Sequence, residues 1–343
     1  MNRMMKKAAA AVMSLAMIAS AGAASSAVVL KELPTLSASA ANGYEEKEIG
    51  GVQYRVYSDH AVAACILPGY HSVTILDQVD EKNVTAMDTI GFSYNYDLWY
   101  LHIKATQLTT LNTDQFRGCI NLATVELSKG LEEIGQGAFQ GCSLLREINI
   151  PVSVQTIKKN AFAFCSNLRS ITLPWRTSYI GDYAFTHCNA LKKIVFMKST
   201  CDHISNNAFD ANGNQSTTNG SGNAKVYLTN TNTSNQLYKY FKVKSYSGHY
   251  NYDTVKYKLG DVNGDSDITQ TDANMVLSAY VNTLVGNSTG LTPLQTVRAD
   301  VDGDGKITAL DAQLITIYLN DPLAPGYNMA YFTCAYLNGV WPH

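Results

Sequence analysis

A phenylalanine returns every 23 residues along the middle of this 343-residue chain: Phe116, Phe139, Phe162 and Phe185, with Phe209 one residue late. Cys119, Cys142, Cys165 and Cys188 keep the same period. One unit runs from Phe139 through Cys142, Leu145, Ile148, Ile150 and Pro151 to Val154, Ile157 and Ala161. Ile148 and Ile150 alternate with polar residues, as in a short strand that sends two side chains inward. A fixed period of roughly 20–29 residues with this apolar core predicts a stacked solenoid. A single unit cannot cover its own apolar side, so its neighbours must.

The same spacing sets expectations for what surrounds the core. A degenerate upstream unit is read at Leu98, Leu101, Ile103, Leu108 and Leu111, and Ile49–Tyr57 as part of a capping hairpin. Beyond Phe209 the pattern gives way to a polar segment, 211–223, one closing strand at Lys225–Leu228, and a tyrosine-rich stretch read as cap and linker. Equivalent positions in a stack lie about 4.8 Å apart. The four periodic cysteines are therefore expected as a buried ladder of small free thiols rather than as disulfides. Cys65, Cys201 and Cys334 fall outside the ladder and receive no role. Outward strand positions read Thr124/Glu126, Glu147/Asn149, Ser170/Thr172 and Lys193/Val195, a polar strip suited to protein contact. Trp175, beside Pro174, is one aromatic candidate for a glycan platform, with edge packing in a turn the stronger reading; the tyrosines from Tyr227 to Tyr257 offer either a weak glycan-contact patch or, as the favoured reading, the cap and linker. The Phe-x-x-Cys-x-x-Leu-x-x-Ile-x-Ile-Pro pattern resembles the BspA-like leucine-rich repeats of bacterial surface proteins over about 98–228. That resemblance implies adhesion or protein contact and specifies no ligand.

A second constellation lies near the C-terminus. Two acidic loops, Asp261–Asp272 and Asp300–Asp311, carry oxygen side chains at positions 1, 3, 5, 9 and 12. That spacing wraps a chain around a hard cation needing six to eight oxygen ligands. The expected ligands are Asp261, Asn263, Asp265, Asp267, Thr269 and Asp272 for one Ca2+, and Asp300, Asp302, Asp304, Lys306, Thr308 and Asp311 for a second. Asp267 and Lys306, at position 7, serve through their backbone carbonyls. Position 6, Ser266 and Gly305, must make a sharp turn. Ile268 and Ile307 stand where paired calcium loops exchange a short β contact. Each loop is followed by helical apolar spacing, and no good amphipathic helix is read before either.

Loop plus following helix, twice over residues 259–321, resembles a type I dockerin. The resemblance implies calcium-dependent docking to a cohesin module of a scaffoldin, within a cellulosome. It also implies cohesin contacts from Gln270, Thr271, Leu277 and Ser278 on one side and Ala309, Leu310, Thr316 and Ile317 on the other. The apolar pair Leu310 and Ile317 is expected at the centre, with the first helix at the rim.

The N-terminus joins basic residues Arg3, Lys6 and Lys7 to an apolar run from Ala8 to Ala24, the pattern of a secretory leader. Cleavage is expected near residue 23 or residue 40. The expected organisation is a leader to 41, a cap over 42–97, a solenoid with its C-terminal cap over 98–245, a linker over 246–258, the dockerin-like module over 259–321 and an aromatic tail over 322–343. The fold class is α+β: a leucine-rich-repeat solenoid with short strands and caps, and a small all-α module of two calcium loop–helix motifs. Lys+Arg (26) nearly balance Asp+Glu (28), which argues against a nucleic-acid partner. The seven histidines are scattered, and no P-loop or zinc motif occurs. The reading is a secreted, non-catalytic cellulosome component whose solenoid recognises a protein or glycan in plant polysaccharide degradation. The alternatives are a glycoside hydrolase or peptidase accessory with an unrecognised site, and a carbohydrate-binding protein.

Overall fold

The computed structural model describes residues 43–209, 224–229, 235–246, 252–321 and 328–337. The expected leader with both cleavage sites, and the polar segment 211–223, lie outside these residues.

Strands Glu45–Ile49 and Val52–Val56 form the expected hairpin, turning at Gly50 and Gly51, both with left-handed φ. Such a turn matches the twist of the strands it joins. The hairpin belongs to a five-stranded cap sheet completed by Ala61–Ile66, Lys82–Met87 and Gln78–Val79. The solenoid begins earlier than expected. Ser72–Ile75, inside the segment assigned to the cap, pairs in parallel with Tyr100–Ile103 and opens the first ladder.

That ladder continues through Thr124–Glu126 and Glu147–Ile148. A further parallel sheet runs Ser170–Leu173, Lys193–Phe196, Ala224–Leu228 and Tyr252–Lys256. A row of two-residue strands from Thr110–Leu111 to His203–Ile204 forms another side of the coil. The phenylalanines fill the interior. Rings from Phe116 to Phe209 stack face to face, with successive centroids 5.5, 5.4, 5.3 and 4.8 Å apart. Leu237 and Phe241 of helix α1 (Gln236–Tyr246) are buried in the same core, and Phe241 packs against Phe209 and Phe196.

The cysteine ladder is buried and its thiols are free. It is not a purely apolar filler. Cys119, Cys142, Cys165 and Cys188 donate to the carbonyl oxygens of Phe92, Phe116, Phe139 and Phe162, each at 3.2–3.3 Å. Burial pushes the Cys119 thiol up to about 11 and that of Cys188 to about 12. A second ladder answers for Cys201. Ser128, Ser153 and Thr177 donate to Ala105, Leu131 and Val154, and Cys201 donates to Ser178 as the next rung. Cys65 is half-buried with its thiol on Gln53, and Cys334 is buried in the C-terminal helix.

The segment 246–258 is not a plain linker. Tyr252–Lys256 is the last solenoid strand, and Tyr257 is buried with its hydroxyl donating to Phe196 at 2.9 Å. The aromatic tail likewise contains a helix, α5 below, that packs inward.

Candidate metal centre and docking face

The C-terminal module is built on α2 (Gln270–Leu284), α3 (Pro293–Ala299), α4 (Ala309–Asn320) and α5 (Met329–Leu337). Helices α2 and α4 follow the two acidic loops and pack on each other. Helix α3 precedes the second loop, where the sequence shows no good amphipathic helix. It runs directly into that loop, starting at a capping box of Thr292 and Gln295 with Pro293 in the first turn. Thr, then Pro, then Gln at this spacing is a helix-start signature that the sequence displays openly. Its seven residues are too few for a clear amphipathic period. The expected β contact between Ile268 and Ile307 is not present among the described residues. Ile307 instead is buried in the second core, with Ile268 packed against it.

Both loops close in nearly the same way. At position 12, Asp272 accepts from the backbone N–H groups of Val262 (2.8 Å) and Asn263 (3.0 Å), and through its other oxygen from Thr269. Asp311 repeats this with Val301, Asp302 and Thr308. These carboxylates therefore tie each loop's end to its beginning. At position 9, Thr269 and Thr308 are helix N-caps that accept from the Thr271 and Leu310 N–H groups. A capping bond of this kind is worth about 1 kcal/mol.

The loops differ in environment. Carboxylate oxygens of Asp300, Asp302 and Asp304 lie within 4.8 Å of one another. No such trio of carboxylates gathers in the first loop among the described residues, where position 3 is Asn263. Asp300 is raised well above the usual carboxylate range by burial first, then by Asp311, Asp302 and Asp304, with Lys193 opposing. Asp302 is pushed up to about 7, again by burial, then by Asp311 and Asp304, with Lys129 opposing. Asp265 in the first loop is exposed and lowered, chiefly by the Asp267 N–H and then by the Asn263 amide. Like charges held together in a half-buried loop are the chemistry a hard dication relieves, and every donor is oxygen. The residues fit calcium.

The second loop is half-buried because it lies on the solenoid. A side chain at Gly303 would collide with Met197, and Thr172 lies close by; Asn149 sits near Gly305. Val195, Met197, Tyr227 and Tyr257 of the solenoid share one apolar core with Val262, Val276, Val301, Leu314 and Ile315. This corrects the outward strip: Val195 is buried at 4 % exposure, and the C-terminal part of the strip faces the acidic module. Trp175 and Tyr331 of α5 make a T-shaped contact, with ring centroids 5.7 Å apart.

The residues expected to meet cohesin fall into two unequal groups. Gln270, Thr271, Leu277 and Ser278 are all exposed, and Val281 and Leu284 continue the same helix to solvent. Ala309 and Leu310 are exposed, whereas Thr316 and Ile317 are half-buried. Helix α5 packs on α4, and Phe332 meets Tyr318 at 5.1 Å. Val281, Leu284 and Val285 were absent from the expected docking set, although the three-to-four-residue apolar spacing after Leu277 points to them.

Among the described residues no helix is long and apolar enough to cross a membrane. No curated protein matches the chain. Among solved structures, a leucine-rich repeat protein of T. pallidum is 28% identical, covering 44% of this chain and 71% of its own, with a TM-score of 0.41. A leucine-rich repeat protein from Bacteroides ovatus is 18% identical over 53% of this chain and 47% of its own, at a TM-score of 0.41. A leucine rich cell surface protein from Faecalibacterium prausnitzii is 18% identical over 54% and 72%, at 0.28. Family models match two stretches, one of them in six copies. The chain thus carries a BspA type leucine rich repeat region over residues 85–215 and a dockerin type I domain over residues 259–320.

Proposed function

We propose that this chain is an extracellular, non-catalytic cellulosome component that binds a scaffoldin cohesin in a calcium-dependent way. Its repeats present a recognition surface for a protein ligand. Dockerin and leucine-rich-repeat modules are interaction modules, which supports cohesin binding and protein contact as the general role. Two calcium ions are assigned, one per loop, held by the carboxylates and amides at positions 1, 3, 5 and 12 and by a backbone carbonyl at position 7. The threonines at position 9 are assigned to helix capping instead. Calcium neutralises the clustered carboxylates and so fixes the helices that follow them. The setting proposed is plant polysaccharide breakdown, with the solenoid targeting rather than cutting.

The observation that carries this reading is the exposed helix face after the first loop. Leu277 is 46 % exposed, Val281 49 % and Leu284 65 %. An apolar stripe of this kind, rimmed by Gln270, Thr271 and Ser278, suits the centre of a protein interface. The favoured docking face is therefore α2, not the Leu310–Ile317 pair. The test compares two double variants for cohesin affinity in calcium. Leu277→Asp with Val281→Asp is expected to lose binding by about 100-fold or more, while Leu310→Asp with Ile317→Asp retains most of it. The opposite ranking, with both variants folded by circular dichroism, would move the docking face to α4.

A further inference from the structure

A cavity of about 780 Å³ opens where the last solenoid strands, the first acidic loop and the N-terminal turn of α5 meet. Lys256, Lys258 and Arg298 line it against a single carboxylate, Asp261. The Arg298 Nε is buried and has no hydrogen-bond partner among the described residues; the Thr229 hydroxyl, also in the lining, is in the same state. A buried donor without an acceptor costs about 1–3 kcal/mol, and more when charged. The wall is thus complementary to an acceptor that the described residues do not supply.

Two further features give that acceptor a sign. Asn328, Met329 and Ala330 line the cavity; Met329 and Ala330 open the nine-residue α5, and Asn328 just before it accepts at Oδ1 from the Tyr331 N–H at 3.0 Å. A helix N-terminus carries partial positive charge. Lys258 donates to the Ser266 carbonyl oxygen at 2.5 Å, which holds its ammonium at the first loop, while Lys256 stands exposed at the rim. An inorganic anion would leave most of the space unfilled, since pockets of roughly 300–1,000 Å³ take a molecule of several rings. Trp175, its plane set by Tyr331, supplies an aromatic wall, and the Ser199 and Thr229 hydroxyls supply polar ones.

We propose that this cavity binds a short acidic oligosaccharide, a uronate whose carboxylate meets Arg298 and the N-terminal turn of α5 while a sugar ring lies along Trp175. A carboxylate satisfies the guanidinium, the ring's C–H face suits the indole, and its hydroxyls suit the serine and threonine. None of the cavity's lining residues belongs to α2.

The test is calorimetric titration of the full chain, in calcium-containing buffer, with trigalacturonate, neutral maltotriose, inorganic phosphate and an aspartate tripeptide. Trigalacturonate alone is expected to bind measurably, and Arg298→Gln to weaken it by about tenfold or more. Arg298 also runs over Gly264 of the first loop. Lys256→Gln at the exposed rim is therefore a second variant that leaves the loop untouched, expected to weaken trigalacturonate several-fold while cohesin affinity stays unchanged. The proposal is overturned by any of four results: no trigalacturonate heat at millimolar concentration, equal binding of maltotriose, tighter binding of phosphate or the tripeptide, or unchanged affinity in both variants.

Discussion

Ser266 and Gly305 occupy position 6 of their loops, and both are held at left-handed φ, +82° and +78°. Glycine adopts that conformation without cost, whereas a residue with a Cβ loses about 1 kcal/mol there. Ser266→Gly is therefore expected to raise calcium affinity at the first site about fivefold, read by calorimetry. An unchanged affinity would mean the strain is relieved elsewhere in the loop. The second loop carries a different burden. Asp300, Asp302 and Asp311 are all raised, by burial first in each case. The cation-free folded module then holds protons that the unfolded chain releases near the ordinary carboxylate value of 3.8, so between about pH 4 and pH 7 its stability falls as pH rises. In chelator, the C-terminal module is expected to melt at a lower temperature at pH 7.5 than at pH 5. With calcium the order reverses, because protons compete with the ion for the same oxygens. Identical chelated melting points at the two pH values would contradict the assignment.

At the scale of elements, the stacked phenylalanines hold the coil together. Phe139 is fully buried between Phe116 and Phe162. Phe139→Ala is expected to cost about 3–5 kcal/mol, measured by urea unfolding of the full chain; a loss below 1 kcal/mol would show that neighbouring rings close the gap. This stack was legible in the sequence because parallel stacking demands the same residue type at the same place in every turn. The hydroxyl ladder was not. Ser128, Ser153, Thr177 and Cys201 precede Ile134, Ile157, Ile180 and Ile204 by 6, 4, 3 and 3 residues, so no fixed spacing marks them. The strand Tyr252–Lys256 was hidden by its distance in sequence from its partner Ala224–Leu228, with helix α1 between them. In the acidic loops the repeat itself was legible, and position 12 closes both in the same way. The capping role of Thr269 and Thr308 was obscured by the same spacing, because a hydroxyl at position 9 serves either purpose.

At the scale of the whole molecule, the two modules meet through one apolar core, and the second loop rests on the solenoid strip. Nothing in a local pattern says which side of a solenoid another module will cover, so the burial of Val195 had no sequence signal. The consequence is asymmetry. The solenoid and α5 crowd the second loop and α4, while α2 keeps its apolar face open. A module that is two-fold in sequence is thereby one-sided in this chain. Whether calcium organises this module for docking is read by titrating the full chain with a type I cohesin, first in calcium and then in chelator. The account predicts one cohesin per chain in calcium and loss of binding in chelator, with the solenoid still folded. Binding that persists at equal affinity after chelation would contradict it.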